Sequence, residues 1–421
     1  MSHVANPSLA PQGQLNLEIA EKRMGALQRI RERFKKEKPF SNLTVGMALH
    51  VTKETGVLVR TLVAGGARVA ITGCNPLSTQ DDIAAALALE KDVFIWAYKG
   101  ETREDYYKFL NAVIDMGPDI TIDDGCDLVT ELHTKRKDAL PKVIGGCEET
   151  TTGVLRLEAM VKDGALQCPM IAVNNLRTKH LFDNYYGTGQ STLDGILRAT
   201  NILLAGKTVV VAGYGSCGKG VALRAKGLGA NVVVTETHPL TALQAAMDGF
   251  RVLPMSEAAK VGDIFITVTG NLRVIRQEHM HEMKDGAILA NAGHFDSEID
   301  IRSLESAARR KRRVRPFLDE YLVSSPKGGS KVLYIAGEGR LVNLAAAEGH
   351  PSEVMSMSFC GQALACEYLV KNRGNLPRTV INLPSELDLI IATLQLEEMG
   401  ITIDTLTPEQ ESYLKSWRQG T

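Results

Sequence analysis

The chain lacks any long hydrophobic run, any metal-ligand signature and any net charge of consequence. Its 48 basic and 49 acidic side chains leave −1. So even a balance provides no global field to select nucleic acid or an anionic membrane. No apolar stretch approaches the roughly 18 residues that a membrane span needs. The opening MSHVANPSLAPQGQ has no basic start followed by an apolar core, so no secretory signal is expected. Seven cysteines, at 74, 126, 147, 168, 217, 360 and 366, are odd in number and form no CxxC. Together with the missing signal, this pattern points to reduced thiols in a cytoplasmic protein. The nearest histidine group, His279-Met280-His281-Glu282, is not HExxH and reads as a solvated helix face, so no metal is expected. Internal repeats and low-complexity tracts are missing too.

What is present is an ordinary globular composition, 44% hydrophobic and 23% charged. The 421 residues suffice for two or three domains. Ala20, Met24, Leu27, Ile30 and Phe34 form one apolar stripe, which predicts a single helix over residues 15–38, ended by Pro39. Short apolar strands then alternate with helices: LTVGMALHV, ARVAITGC, DVFIWAY and DITI are the strands of a first series. A second series begins near Leu204 with TVVVAG and NVVVTE, followed by DIFITVTG and AILANAG. Such alternation predicts an α/β protein of two doubly wound parallel-sheet domains with a short C-terminal helical tail. The stretch NNLRTKHLFDNYYGTGQST between the series, rich in Asn, Gly and Thr, suits a hinge. Thr407-Pro408-Glu409-Gln410 has the capping-box pattern and predicts the start of a last helix. The run Arg309, Arg310, Lys311, Arg312, Arg313 and Arg315 reads as a solvated helix end rather than a nucleic-acid patch.

The second series opens with VVVAGYGSCGKG, which places Gly213, Gly215 and Gly218 as GxGxxG directly after a strand and at the start of a helix. Gly213 permits the tight turn, Gly215 lets the backbone approach a pyrophosphate, and Gly218 allows close helix–strand packing. Glu236 ends the next strand 23 residues beyond Gly213. A carboxylate there accepts hydrogen bonds from an adenosine ribose and repels an extra phosphate, so NAD is favoured over NADP. This makes the second domain a Rossmann NAD-binding domain.

In the first series, polar residues collect where strands end: His50, Thr52 and Glu54; Ser78 to Asp81; Asp123-Asp124-Gly125; Glu148-Glu149 before Thr150 to Thr152. Strand C-termini line the ligand crevice of an open α/β sheet. Each group also has a plain structural explanation. DDG is a turn signal, Thr150 to Thr152 suit a helix cap, and Lys179 with Asp183 suits an exposed i,i+4 pair.

Taken in order, HVTKET, CNPLSTQDD, DDGCDL, EETTTGV, KHLFDN, GYGSCGKG, NAGHFDSEID and EGRLVNLAAAEGHPSEVMSMSF resemble the S-adenosyl-L-homocysteine hydrolase family over nearly the whole chain. The resemblance implies reversible hydrolysis of that thioether to adenosine and L-homocysteine, with tightly held NAD as an internal oxidant. The 3′-hydroxyl is oxidised, homocysteine leaves by elimination, water adds and the hydride returns. It implies a substrate-binding domain over residues 1–185, completed by about 350–395, an NAD-binding domain over 190–345, and a tail over 396–421. By match to the family motifs, Lys179 assists removal of the 3′-OH proton, with its pKa lowered by burial or cationic surroundings. Asp124 is the 4′ base, and His50 serves the leaving thiolate and the incoming water. Glu149 and Asp183 bind the ribose hydroxyls, with Asn184 beside them. Thr52 and Glu54 hold adenine, Met355 packs on the base, His350 lies near the purine and His294 near the nicotinamide. Thr150, Thr151, Thr152, Asn184, Glu236, Asn271 and Asn343 fall at NAD-binding positions. The family also implies a homotetramer.

Two features depart from the family's vertebrate-like members. They carry a cysteine where this chain has Thr188, so that thiol is not required here. They also end in a long tail, with a terminal lysine and tyrosines, that completes a neighbour's NAD site. This sequence ends SYLKSWRQGT, resembling archaeal and thermophilic-bacterial relatives. The competing activities are S-inosyl-L-homocysteine hydrolysis, a non-catalytic NAD-binding regulatory role, and dehydrogenation of a small hydroxy acid.

Overall fold

A computed structural model describes residues 2–325 and 328–418. Its first seven strands are β1 (His3–Val4), β2 (Thr44–Ala48), β3 (Arg68–Thr72), β4 (Val93–Ala97), β5 (Ile120–Asp123), β6 (Gly145–Glu148) and β7 (Met170–Ala172). Eight more follow: β8 (Thr208–Ala212), β9 (Asn231–Thr235), β10 (Arg251–Val252), β11 (Ile264–Thr267), β12 (Ala287–Asn291), β13 (Arg310–Arg315), β14 (Leu318–Ser324) and β15 (Ser330–Ala336). A late strand, β16 (Val380–Ile381), returns to the first group.

The sheet orders are β1-β4-β3-β2-β5-β6-β7-β16 and β10-β9-β8-β11-β12-β15-β14-β13. The first sheet is parallel throughout. In the second, β13–β14 and β14–β15 are antiparallel, so one edge departs from the expected all-parallel pattern. Strands such as Thr44–Ala48 and Ile264–Thr267 are buried at every position. Near-continuous apolar strands with helices on both faces are what a parallel sheet requires. Leu27, Phe34, Leu58 and Ile71 lie in the core on one face of the first sheet, with Leu110, Leu128 and Leu157 in that on the other.

Local structure differs from expectation at three places. The expected helix over 15–38 is two helices, Ala10–Lys22 and Gly25–Glu37, broken where Met24 leaves helical geometry at φ −114° and ψ 47°. At Gly25 a Cβ would overlap the Glu398 side chain, so the second helix turns to pack closely on the C-terminal segment. The basic run is not a helix end. It forms edge strand β13, whose arginines pair with carboxylates on neighbouring β14, as Arg312 does with Glu320 and Arg313 with Asp319. The Asn/Gly/Thr-rich stretch is mostly helical turns, Val173–Asn175, Arg177–His180 and Asp183–Gly187, leading into helix Thr188–Thr200. The expected last helix is present at Pro408–Lys415, with Thr407 and Gln410 forming the reciprocal capping bonds. Among the described residues no helix is long and apolar enough to cross a membrane.

Helix Ser352–Lys371 lies against the first sheet, although its sequence follows the second. It buries Ser356, Ser358 and Gln362 completely. Ser358 Oγ and Gln362 Nε2 are turned to a polar partner, Glu149, whereas Ser356 Oγ has no hydrogen-bond partner among the described residues.

Candidate active site

Each sheet reverses its strand order at one strand, the first at β2 and the second at β8. Crevices open at such switch points, beyond the strand C-termini. His50 follows β2 and Gly213 follows β8, and both line one cavity of about 1380 Å³. A site for one drug-sized ligand spans about 300–1,000 Å³, so this cavity has room for two ligands side by side.

Pleat alternation sorts the acids at the strand ends. Asp123 and Glu148 turn inward and brace the loops. Asp123 accepts from the backbone N–H of Asp124 and Val129, and Glu148 from Gly125, Thr150 and the Thr150 hydroxyl. Asp124 and Glu149, one residue on, line the cavity. Burial, the largest effect, pushes the Asp123 carboxyl up to about 7 and raises that of Glu148 well above the ordinary glutamate range. Thr150 is occupied as the N-cap of helix Thr151–Lys162, while Thr150, Thr151 and Thr152 all border the cavity.

Lys179 is buried, and its Nζ lies 3.3 Å from Asp183 Oδ1 and 3.7 Å from Glu149 Oε1. The sequence expectation of a lowered Lys179 pKa is overturned. Burial does act downward, but the carboxylates of Asp183 and Glu149 override it and hold the ammonium charged well above the usual lysine range. The two acids are unequal. Burial opposes the Asp183 charge, yet Lys179 and His350 carry its pKa well below normal, with His350 Nδ1 at 3.2 Å. Glu149 is raised to about 7, chiefly by burial, and accepts from Ser358 and Gln362. Asn184 accepts from Lys179 at 2.8 Å.

Asp124 stands between two histidines. Its Oδ2 is 3.5 Å from His50 Nε2 and its Oδ1 is 3.3 Å from His294 Nδ1. His294 comes from the second sheet and packs over Gly125 of the first. Burial outweighs the Asp124 charge and lowers the His50 pKa to about 4, so its imidazole is neutral at pH 7. Ser78 Oγ lies 2.8 Å and Cys74 Sγ 3.2 Å from His50 Nδ1.

On the opposite wall Gly213 takes φ 102°, a conformation that favours glycine, and turns the chain from β8 into helix Ser216–Gly227. A Cβ on Gly218 would lie 2.0 Å from the Gly213 carbonyl oxygen, so helix and turn touch through glycine. Gly215 faces open space. Glu236 is held by the backbone N–H groups of Tyr214, Thr237 and His238, which outweigh burial and keep its carboxyl below the usual range. Asn271, Asn343, His350, Met355 and Thr52 also line the cavity, whereas Glu54 and Gly218 stand behind its surface. Glu54 is buried and accepts from Ser352 Oγ at 2.6 Å.

Two family models match this chain: S-adenosyl-L-homocysteine hydrolase over residues 1–144, and the NAD binding domain of S-adenosyl-L-homocysteine hydrolase over residues 184–349. The chain belongs to the S-adenosyl-L-homocysteine hydrolase family. It is 59% identical to the S-inosyl-L-homocysteine hydrolase of Methanocaldococcus jannaschii, with 100% of both chains covered. It is 57% identical to the adenosylhomocysteinase of Saccharolobus solfataricus, with 98% of each covered. It is also 57% identical to that of Aquifex aeolicus, with 99% of each covered.

NAD is the family's cofactor, and the residues present fit it. Asn343 is 3% exposed, donates to Ser191, and leaves its Oδ1 with no hydrogen-bond partner among the described residues. An orphaned buried acceptor in a cavity wall suits a carboxamide N–H. Sequence reasoning missed Ser358 and Gln362, which hold Glu149, and Glu298, which accepts from the backbone of Thr269 and Gly270. It also missed that His50, Asp124 and His294 converge, each offering a ligand atom within 4.8 Å of the others. Nothing local in the sequence marks these groups, because their partners are remote.

Proposed function

We propose that this chain hydrolyses S-adenosyl-L-homocysteine reversibly to adenosine and L-homocysteine, retaining NAD through the cycle. The observation that carries the reading is the buried set of Lys179, Asp183 and Glu149 beside Asp124, facing the glycine turn across one cavity. Bound NAD supplies the hydride acceptor that makes the 3′ carbon a ketone and so acidifies the 4′ hydrogen.

The chain's own groups handle the protons. Glu149 and Asp183 accept hydrogen bonds from the ribose hydroxyls. Lys179 stays charged and assists as a donor beside the 3′ oxygen, and Glu149, which titrates near 7 and lies 3.7 Å from the ammonium, is the acceptor for the 3′-OH proton. Asp124 takes the 4′ proton. His50 receives that proton across the 3.5 Å to its Nε2, gives it to the departing thiolate and, neutral again, takes one from water. Its neutral imidazole suits the second task. Thr52, Glu54, His350 and Met355 hold the purine, and His294 borders the nicotinamide. Thr150, Thr151, Thr152, Asn184, Gly213, Gly215, Gly218, Glu236, Asn271 and Asn343 hold NAD.

The same reading divides the chain into a substrate-binding domain over 1–185 completed by about 350–395, an NAD-binding domain over 190–345 and a tail over 396–421. It places the protein in the cytoplasm as a homotetramer acting on small molecules, with neither nucleic acid nor membrane as partner.

The 59% identity to an S-inosyl-L-homocysteine hydrolase supports a second substrate, in which hypoxanthine replaces adenine. The purified protein is assayed with both thioethers for homocysteine release by a thiol reagent and for NADH release by absorbance. Homocysteine without net NADH is expected, faster from the adenosyl compound. Release of NADH on turnover overturns the hydrolase reading, and no turnover of either thioether overturns catalysis.

A further inference from the structure

Lys179 is tied to the glycine turn through Asn184 and then through His180 and Ser216, two side chains that the proposed reaction leaves unused. Its ammonium donates to Asn184 Oδ1 at 2.8 Å. An ammonium only donates, so the amide atom it meets is the oxygen, and the amide nitrogen of Asn184 faces away. That nitrogen lies 3.1 Å from Asn174 Oδ1 and 3.2 Å from His180 Nδ1. An amide nitrogen only donates as well, so His180 Nδ1 is the bare nitrogen and its hydrogen sits on Nε2. Nε2 is 2.7 Å from Ser216 Oγ and donates to it.

The polarity of the chain is thus fixed from Lys179 outward. Each link consumes an acceptor, and the last member, the Ser216 hydroxyl, keeps its own proton to give. Ser216 is the first residue of helix Ser216–Gly227, directly after Gly215, and both line the cavity. A donor at that position faces the place where a helix N-terminus receives an anion. Burial first, then Lys179, holds the His180 pKa below the ordinary histidine range, which keeps the imidazole neutral and the tautomer single.

We propose that His180 is a positioning residue that aims the Ser216 hydroxyl as a donor to the pyrophosphate of the bound dinucleotide and links that contact, through Asn184, to Lys179. The inference rests on the NAD reading above. It explains why a histidine stands beside the lysine in KHLFDN and a serine after the second glycine of GYGSCG.

The test measures release of NAD from the purified holoenzyme on dilution, for wild type, His180→Leu, His180→Gln, Ser216→Ala and the His180→Leu/Ser216→Ala double variant. Histidine 15N spectra of the wild type and of His180→Gln accompany it. His180→Leu and Ser216→Ala should each release NAD about tenfold faster, the scale of one lost hydrogen bond, and the double variant no faster than either. His180→Gln retains an amide nitrogen that can donate to Ser216 and should stay near the wild-type rate. The 15N spectra should show one histidine protonated on Nε2 whose signal is absent from His180→Gln. Unchanged release in both single variants, loss in His180→Gln equal to that in His180→Leu, or a proton on Nδ1 each overturns the inference alone. A wild-type protein that holds no NAD overturns the cofactor reading, and this inference with it.

Discussion

Glu149 and Lys179 stand 3.7 Å apart in a buried pocket, and only the lysine holds its charge firmly. Asp183, at 3.3 Å, is the lasting counter-ion, whereas the Glu149 carboxyl exchanges its proton near pH 7. Lys179→Ala should keep the fold and bind adenosine but reduce bound NAD about 10²–10⁴-fold more slowly. Single-turnover absorbance of NADH formation measures this, and near-normal reduction removes Lys179 from the redox step.

The same pair sets a pH dependence. Burial raises Glu149 to about 7, so below that pH the carboxyl is protonated and cannot take the 3′-OH proton. The rate of NAD reduction by adenosine should therefore rise as pH increases through about 7 and level off above it. Glu149→Gln should flatten that limb as well as slow the step. A profile of the variant that keeps the wild-type inflection assigns the limb to another group.

On the proposed reading, Glu54, just behind the cavity surface, is the group that separates the two nucleosides. Ser352 occupies one carboxylate oxygen, and an ionised carboxylate only accepts. Adenine offers a 6-amino donor, while hypoxanthine offers a 6-oxo acceptor. An unpaired buried polar group costs about 1–3 kcal/mol, more when charged. Adenosyl- should be preferred over inosyl-homocysteine by roughly 10²-fold in kcat/KM, and Glu54→Gln should narrow the ratio. Equal kcat/KM values for the wild type would move the assignment to the inosyl compound.

Glu101 is 5% exposed, and neither of its carboxyl oxygens has a hydrogen-bond partner among the described residues. Burial first, then Asp105, raises its pKa from 4.5 to about 8. Between those values the folded chain holds a proton that the unfolded chain has lost, so stability falls as pH rises through the window. Glu101→Gln removes the titration. At pH 8 it should raise stability by on the order of 1–3 kcal/mol, with the advantage vanishing near pH 4. Denaturant unfolding at the two pH values tests this, and an equal gain at both attributes the effect to packing.

Much of this was legible in local sequence. The glycine turn, Glu236 and the C-terminal capping box each depend on neighbours within one strand–turn–helix unit, and each folds as its spacing requires. Charge state was not legible. The lowered pKa expected for Lys179 treats burial alone, whereas Glu149 arrives from another strand and is held by Ser358 and Gln362, 209 and 213 residues downstream. The basic run fails as a helix because its partners, Asp319 and Glu320, lie across a tight β-turn rather than along a helix face. Just after the break at Met24, Gly25 packs closely on Glu398, 373 residues downstream. Distance along the chain, more than composition, divides what could be read from what could not.

Strand β13 has a consequence for how copies of this protein meet. It is the terminal strand of its sheet, and all six of its residues are exposed. An open strand edge is a template on which a second chain can extend the sheet without limit. Here the edge is RKRRVR, so a second β13 laid alongside would set arginine against arginine at contact distance. Lateral growth into fibrils is thereby discouraged at the one flank where the second sheet's antiparallel addition would invite it.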